Sequence, residues 1–281
     1  MKRILTLVLA LVTVFAAVFC TTSCSKAYDF DKETELVMAT NAAFPPYEYV
    51  DGGKYYGIDV EIAEEIAKRL GKTLRIEDIE FDSIIGGIES GKYDMALAGL
   101  TVTAEREKSV SFSTSYAKGV QVMIVKNDAT FTSIDDFFNY DAEGNPVSLK
   151  KTDLKVGVQK TTTGDIYSSS DVTGWGFNDL NDDGSTKTER VIRYNNGADA
   201  VEALKTGKVD VVIIDNEPAK SFVNANPGAI RILETEYTNE DYAIAVNKDS
   251  KVLLEKINGV LADMKADGTL DKIIAKYIPA E

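Results

Sequence analysis

One segment of the sequence combines side chains that suit the binding of a carboxylate. Thr101-Val-Thr103-Ala-Glu-Arg106 follows an apolar stretch that predicts a strand, and Thr103 is placed to cap a helix with Arg106 in its first turn. A cation at that end opposes the helix dipole by roughly 0.3–1 kcal/mol, so its presence needs an explanation. One explanation is a guanidinium that binds a ligand carboxylate together with the Thr101 hydroxyl and free backbone N–H groups. The other is an ordinary solvated arginine.

Asp215 and two phenylalanines are further candidates. Asp215 ends a second apolar strand, so it either pairs with a ligand ammonium or caps the helix that begins at Asn216. Phe44, beside two prolines, and Phe81 either pack in the core or enclose the side chain of a ligand. Each of these residues, taken alone, fits a structural role as well as a functional one.

The segments that position these residues alternate between strand and helix patterns. Leu36–Ala39 predicts a strand, Asn41–Pro46 a turn, and Asp59–Leu70 an amphipathic helix that ends before Gly71. Ser250–Lys265 predicts another amphipathic helix that packs on the core. This order indicates an α/β fold with largely parallel sheets.

An internal similarity suggests two lobes. The pattern of a helix end, Gly-Lys and an apolar strand over Ile88–Gly99 recurs over Leu204–Asp215, and Leu36–Asn41 is echoed by Leu154–Gln159. The alternative is a chance likeness between two β-α-β units. If the lobes correspond, strand ends from both face a shared cleft, where small molecules bind preferentially. The residues at those ends are Asn41, Gly99, Gln159 and Asp215.

Composition restricts the possible functions. The formal charge of −14 argues against nucleic acid or an anionic membrane surface as the partner. The sequence has no histidine, which removes the commonest general base and the commonest zinc ligand. Chemistry by carboxylates alone stays open, although no catalytic residue, metal or cofactor is expected.

Two segments resemble known binding motifs, but each lacks a residue that the motif requires. Gly86–Lys92 has the glycine and lysine spacing of a phosphate loop, but Tyr93 stands where a magnesium-binding Ser or Thr is required. Asp179–Gly184 opens like a calcium loop, but Arg190 replaces the closing glutamate. The stretches 139–145 and 174–185 are polar and rich in Gly, Asp and Asn, which predicts surface loops.

The N-terminus has the layout of a signal peptide over residues 1–23. Lys2 and Arg3 precede a 16-residue apolar run that is shorter than the ~20 residues of a spanning helix, although a membrane anchor remains the alternative. Cys24, after three small residues, is the predicted lipidation site, with Cys20 as the rival. Both cysteines lie in or beside the leader, so the mature domain contains no disulfide.

A set of motifs in consistent order and spacing gives the chain a family resemblance. From about residue 34 onward it resembles the polar amino-acid-binding proteins of bacterial ABC importers, extracellular solute-binding protein family 3. The matching segments are Phe44–Glu48, Gly57–Leu70, Phe81–Ile85, Ala98–Arg106, Phe112–Tyr116, Val156–Gln159 with Thr161–Gly164, Asp210–Asp215 and Gly268–Leu270.

The resemblance implies a two-lobed periplasmic-binding-protein-like fold of type II. Lobe 1 would contain residues 30–115 and 243–281, and lobe 2 residues 120–238, after a lipid-anchored linker over 24–33. Two crossover strands near 116–120 and 240–242 would form the hinge. A monomer is expected, anchored to the cell membrane and acting with the permease of an ABC transporter.

The resemblance also implies a role for each site residue. Arg106 and Thr101 would bind the α-carboxylate of a free amino acid, assisted by the backbone of Gly99 and Thr163. Asp215, with the carbonyl of Ala98 or Gly99, would bind the α-ammonium. Phe44 and Phe81 would enclose the ligand side chain, and Asn41 and Gln159 would contact its far end.

The sequence departs from the family at two positions that bear on the substrate. Asn41 stands where many relatives have an aspartate, which disfavours cationic side chains and suits glutamine or another neutral polar amino acid. Thr161 stands where relatives often have glycine. Two other functions remain open: a sensory module that acts with a separate signalling partner, and a dehydratase-like enzyme on the same fold.

Overall fold

The computed structural model describes residues 27–233 and 237–279. The predicted signal peptide, Cys20, Cys24 and the start of the linker lie outside these residues. Among the described residues, no helix is both long enough and apolar enough to span a membrane.

The described strands alternate with helices along much of the chain. They are β1 (Glu35–Thr40), β2 (Ala43–Phe44), β3 (Glu48–Asp51), β4 (Lys54–Tyr56), β5 (Thr73–Asp78), β6 (Met95–Ala96), β7 (Val110–Phe112), β8 (Ala117–Lys126), β9 (Phe138–Tyr140), β10 (Pro146–Leu149), β11 (Val156–Gln159), β12 (Asp179–Leu180), β13 (Thr186–Thr188), β14 (Val191–Tyr194), β15 (Val211–Asp215), β16 (Ile230–Ile232), β17 (Thr238–Tyr242) and β18 (Ala245–Asn247).

Helices connect these strands and cover the sheets. The α-helices are α1 (Ile58–Arg69), α2 (Ile84–Glu89), α3 (Arg106–Ser109), α4 (Thr163–Ser168), α5 (Gly197–Lys205), α6 (Asn216–Ala225), α7 (Lys251–Ala266) and α8 (Thr269–Tyr277). Short 3₁₀ turns are found at Phe81–Ser83, Ile134–Asp136 and Val172–Gly174.

The first large sheet has the strand order β5-β1-β6-β18-β7. β1 pairs in parallel with β5 and β6, whereas β18 pairs antiparallel with β6 and β7. Helix α1 forms because its apolar residues recur on one face, and it buries Ile58, Ile62 and Ile66 beneath this sheet. Gly71, just past its end, has a left-handed φ of 67°.

The second large sheet has the order β14-β11-β15-β8-β16, and β17 pairs with a further stretch of β8. β11 is parallel to β14 and β15, and β8 is antiparallel to β15, β16 and β17. The expectation of largely parallel sheets is therefore wrong, since both sheets are mixed. The reason is connectivity: β8 and β18 each arrive from the other half of the molecule and enter their sheet in the opposite direction.

Two strands carry the chain between the halves. Along β8 and β17, Tyr242 pairs with Ala117 and Glu240 with Gly119. These are the segments that the sequence predicts as the hinge. The fold is the expected two-lobed α/β architecture, whereas the exact lobe boundaries stay a prediction.

Two surface segments differ in detail from the sequence-based expectation. The stretches predicted as loops at 139–145 and 174–185 contain parts of two small antiparallel hairpins, β9–β10 and β12–β13. The Asp/Asn-rich tip of the second hairpin folds on itself, because Asn181 and Asp183 both hydrogen-bond the Ser185 hydroxyl. This arrangement is an ordinary polar turn.

Candidate functional site

A cavity lies where parallel strands of both sheets reach their carboxyl ends. Asn41 follows β1 and Ala98 lies just beyond β6, while Gln159 and Asp215 are the last residues of β11 and β15. The space not occupied by atoms, including open solvent at the mouth, is about 310 Å³, of which only about 10 Å³ is room for the centre of a water-sized molecule, so the two sides of the cleft lie close together. Each of the ten predicted ligand-binding residues lines this cavity, as do Glu48 and Thr162; the ten are Asn41, Phe44, Phe81, Ala98, Gly99, Thr101, Arg106, Gln159, Thr163 and Asp215.

Arg106 is buried at the cavity and is not a solvated surface arginine. Its side chain is held by hydrogen bonds from Nη1 to the Thr101 carbonyl at 2.7 Å and from Nη2 to the Thr161 carbonyl at 3.1 Å. The guanidinium carbon lies 5.5 Å from the centre of the Phe81 ring. Burial lowers the pKa of Arg106, and Glu240 and Asp215 oppose that change. The Thr103 hydroxyl accepts from the Arg106 backbone N–H at 3.2 Å, but the helix begins at Arg106 itself, so Glu105 and not Thr103 holds the capping position.

Asp215 is buried and does not cap the helix that follows it, since its side chain makes no capping hydrogen bond. Its Oδ1 instead accepts a hydrogen bond from the hydroxyl of Tyr242. Burial and the nearby charge of Glu240 raise the pKa of Asp215 to about 7. The burial and the second negative charge nearby make this carboxylate a favourable setting for a ligand ammonium.

The apolar wall of the cavity depends on a glycine. Gly99 has a left-handed φ of 51°, and a Cβ built there would lie 2.8 Å from the Phe44 ring. Phe44 stacks on Tyr47 with ring centres 6.2 Å apart. The Gly99 N–H donates to Asp59 Oδ2 at 2.8 Å, so in this conformation Gly99 has only its carbonyl oxygen left for a ligand. The predicted help from its amide in binding a carboxylate is therefore not available here.

At the far end of the cavity, two amide side chains bridge the halves. Gln159 Nε2 donates to Asn41 Oδ1 at 2.9 Å and to the Asn195 carbonyl at 3.1 Å. Asn41 Nδ2 donates in turn to the Ile79 carbonyl at 2.9 Å. This end of the cavity therefore offers uncharged donors and acceptors.

The loop after β11 makes further contacts across the cleft. Lys160 forms ion pairs with Asp82 at 3.0 Å and Glu80 at 3.6 Å. Thr161, whose carbonyl accepts from Arg106, has a φ of 61°. Left-handed backbone is costly for a β-branched residue, so this loop holds local strain.

A buried pair of acids beside the cavity, Glu48 and Asp59, is not predicted by the sequence. Glu48 lines the cavity and is 1% exposed, and burial together with the charge of Asp59 raises its pKa well above its usual value. Burial also raises the pKa of Asp59 to about 6, although Gly99 and the Tyr116 hydroxyl donate hydrogen bonds to it. Glu48 was quoted within a motif, but nothing in its neighbourhood along the chain shows that Asp59 lies against it.

Glu240 is not predicted by the sequence either. The Thr101 hydroxyl donates its proton to Glu240 Oε2 at 2.7 Å. The Thr101 oxygen can therefore only accept a hydrogen bond from a ligand. Thr101 in this state suits a donor such as an ammonium better than the predicted carboxylate. Helix α4 begins at Thr163, and the Thr162 hydroxyl accepts from the Asp165 N–H at 3.3 Å, so the N–H groups of Thr163 and Gly164 are the first ones without a partner inside the helix.

The site can bind and orient a molecule with separate positive and negative groups. It presents a guanidinium, a carboxylate, aromatic walls and an amide end, on residues from both halves. Among residues 27–233 and 237–279, no group of three or more Asp, Glu, Cys or His side chains is arranged to hold a metal ion.

A two-lobed fold with a polar cavity between its halves is typical of proteins that bind small ligands. Comparison of the sequence with known proteins identifies the family. The model of bacterial extracellular solute-binding proteins, family 3, matches residues 36–280, and the chain belongs to this family. It is 30% identical over 283 residues to the arginine-binding extracellular protein ArtP of Bacillus subtilis, covering 100% of both chains.

Solved structures agree with this assignment. A mutant of ArgBP from T. maritima is 35% identical with a TM-score of 0.73, covering 88% of this chain and 96% of that one. An ancestral arginine-binding protein bound to glutamine is 34% identical with a TM-score of 0.74, covering 88% of this chain and 99% of that one.

Proposed function

We propose that this protein captures a free polar amino acid, glutamine in first place, outside the cytoplasm and delivers it to the permease of an ABC transporter. The observation that carries the proposal is a cavity lined by a buried guanidinium and a buried carboxylate that come from different halves of the molecule. A zwitterion satisfies both groups at once, and no chemical step is required of the site.

The main chain of the ligand accounts for the two charged anchors. Arg106 uses two of its five N–H groups on carbonyls, which leaves N–H groups for the α-carboxylate. The start of α4 at Thr163 adds backbone N–H donors. Asp215 and the carbonyl of Ala98 or Gly99 accept from the α-ammonium, and the Thr101 hydroxyl adds a further acceptor.

The preference for glutamine follows from the amide pair at the far end. A ligand carboxamide that enters between Asn41 and Gln159 donates to the Oδ1 of the first and accepts from the Nε2 of the second, so both partners of the present hydrogen bond are satisfied. A guanidinium has donors only, and a carboxylate has acceptors only, so each satisfies one of the two amides.

Ligand binding favours closure because the anchors lie on both halves. A ligand stabilises whichever conformation it contacts better, and only the closed form brings Arg106 and Asp215 to the same zwitterion. A micromolar dissociation constant requires about −8 kcal/mol, which two charge-assisted anchors and aromatic burial supply after the cost of ordering. The permease is proposed to recognise this closed form.

Calorimetry with the twenty amino acids tests the proposal, on protein that has been unfolded and refolded to remove bound ligand. We expect micromolar or tighter binding of one or a few polar amino acids. Arg106→Ala and Asp215→Ala should each weaken it roughly 100-fold, since each removes charge-assisted hydrogen bonds. Arg75→Ala, which alters an exposed arginine paired with Glu35 and Glu77, is the matched control. Absence of binding by folded wild-type protein refutes the assignment.

The lipid anchor is part of the same proposal. Cleavage before Cys24 would leave an N-terminal cysteine for acylation and hold the protein at the cell membrane. Labelling of producing cells with a fatty-acid probe tests this assignment: Cys24→Ala should abolish the label, whereas Cys20→Ala should leave it. The reverse pattern assigns the anchor to Cys20.

A further inference from the structure

Glu240, on the crossover strand β17, lies at the centre of a buried hydrogen-bond network beside the cavity. Its Oε2 accepts from the Thr101 hydroxyl at 2.7 Å and from Gln121 Nε2 at 3.2 Å. Gln121 Nε2 also donates to the Thr163 hydroxyl at 3.3 Å. One carboxylate oxygen thus connects Thr101, which follows the first sheet, to Thr163, which begins a helix of the second half.

We propose that Glu240 is a positioning residue for the main chain of the ligand: it holds Thr101 and Gln121, and through Gln121 also Thr163, in one geometry across the two halves. The proposal rests on the proposed amino-acid-binding function. Glu240 itself does not line the cavity, so it acts through its partners. Because Thr101 donates to it, the Thr101 oxygen is fixed with its lone pairs available to the ammonium.

The burial of Glu240 supports a role beyond packing. The residue is 5% exposed, and its other oxygen, Oε1, is buried with no hydrogen-bond partner in the described part of the chain. Such a group is costly to bury, so an apolar residue would serve the fold better if the network had no role.

The charged and titratable groups around Glu240 form one electrostatic unit. Its charge acts on Arg106, Asp215 and Tyr242, the last of which hydrogen-bonds Asp215. Burial, followed by the charge of Glu240, raises the pKa of Tyr167 to about 12. Removal of the charge at Glu240 therefore makes Asp215 easier to ionise.

The proposal has a signature that a purely structural role lacks. Thr101 and Thr163 are placed to meet the part of the ligand that all amino acids share, whereas Asn41 and Gln159 are placed to meet the side chain. Loss of Glu240 should weaken the binding of every amino acid ligand by the same factor and leave the order of their affinities unchanged. Loss of the Asn41 or Gln159 amide should change the order of affinities.

The test compares dissociation constants for the amino acids that bind wild-type protein with those for Glu240→Leu and Glu240→Gln. We expect a uniform increase of about tenfold or more for Glu240→Leu, which removes the acceptor of two donors. Glu240→Gln keeps a carbonyl oxygen for these donors, so we expect a smaller uniform increase. With the charge gone, the loss of affinity on acidification should also move to lower pH. Asp241→Asn, an exposed neighbour on β17 paired with Lys118, is the control with unchanged affinity.

Three results would overturn the proposed positioning role of Glu240. A folded Glu240→Leu protein with dissociation constants within about twofold of wild type, or with an altered order of ligands, overturns the proposal. If Glu240→Leu does not fold, a Glu240→Gln protein with wild-type affinity and a wild-type pH profile overturns it. Wild-type protein that binds no amino acid refutes the proposed function itself, and this inference with it.

Discussion

The substitution Asn41→Asp should change the order of ligands in favour of arginine. In the present structure Asn41 Oδ1 accepts from Gln159 Nε2 at 2.9 Å, and Asn41 Nδ2 donates to the Ile79 carbonyl at 2.9 Å. An aspartate at position 41 keeps the contact with Gln159 and loses the one with Ile79, so one of its carboxylate oxygens faces the Ile79 carbonyl oxygen. A ligand guanidinium can donate to both the carboxylate oxygen and the Ile79 carbonyl oxygen, whereas a ligand carboxamide can do so only in part.

The magnitude follows from the change in hydrogen-bond type. A neutral hydrogen bond contributes about 1 kcal/mol net, and one to a charged group about 1.5–3 kcal/mol. The substitution should therefore favour arginine over glutamine by at least ~1 kcal/mol, or roughly fivefold to tenfold in the ratio of dissociation constants. The unliganded Asn41→Asp variant should also melt at a lower temperature than wild type, and bound arginine should raise its melting temperature again.

Titration calorimetry with arginine and glutamine measures that ratio. Asn195→Asp is the matched control, because it adds the same charge on an exposed residue that contacts Gln159 only through its backbone carbonyl. An unchanged ratio in Asn41→Asp refutes the placement of the ligand side chain at this end. An equal shift in the control attributes the effect to overall charge.

Three further predictions concern the backbone and the buried acids. Gly99→Ala should destabilise the protein by more than ~1 kcal/mol and weaken binding, because a side chain there meets Phe44 at 2.8 Å on left-handed backbone. Thr161→Gly should stabilise the protein by about 0.5 kcal/mol, because relief of a φ of 61° outweighs the added chain entropy at an exposed position. Since burial raises the pKa of Asp215 from 3.8 to about 7, and that of Asp59 to about 6, the native state holds more protons between these values. Stability without ligand should therefore fall as the pH rises from about 4 to about 7, whereas amino-acid binding, which needs ionised Asp215, should strengthen.

Denaturant unfolding and calorimetry check these three expectations. Gly86→Ala is the control for the first, since a Cβ there meets nothing within 4 Å and its φ is not left-handed. A lower melting temperature for Thr161→Gly contradicts the strain argument. For the pH effect, Asp215→Asn should show a flatter dependence of stability on pH than wild type; an equal slope contradicts the assignment to this carboxyl.

The sequence predicted the regular elements well where a pattern was local. The helix expected over Asp59–Leu70 spans Ile58–Arg69, and the one expected over Ser250–Lys265 spans Lys251–Ala266. Gly91 and Gly207, at the same place in the two similar segments, have left-handed φ values of 71° and 74°. Strand direction was not predictable, because it depends on the order in which the chain crosses between the sheets.

The same difference between local patterns and long-range contacts explains which site residues could be predicted. Residues at strand ends, such as Gln159 and Asp215, could be found because the ends of parallel strands meet at one edge of a sheet. The partners of these residues could not be found in this way. Glu240 lies 139 positions from Thr101 along the chain, and no local pattern links the two. Their ligand-binding roles stay a prediction until binding is measured.

The route of the chain between the two sheets also sets an order of assembly. The second sheet holds all of its strands between Ala117 and Tyr242, so that stretch completes its sheet as a continuous piece. The first sheet has a gap between β6 and β7 that is filled by β18, Ala245–Asn247, near the end of the chain. A chain that emerges from its N-terminus can therefore close the second sheet first, while the first waits for nearly the last strand made. Until then the edges of β6 and β7 are unpaired, and a chain truncated before residue 245 would keep them so.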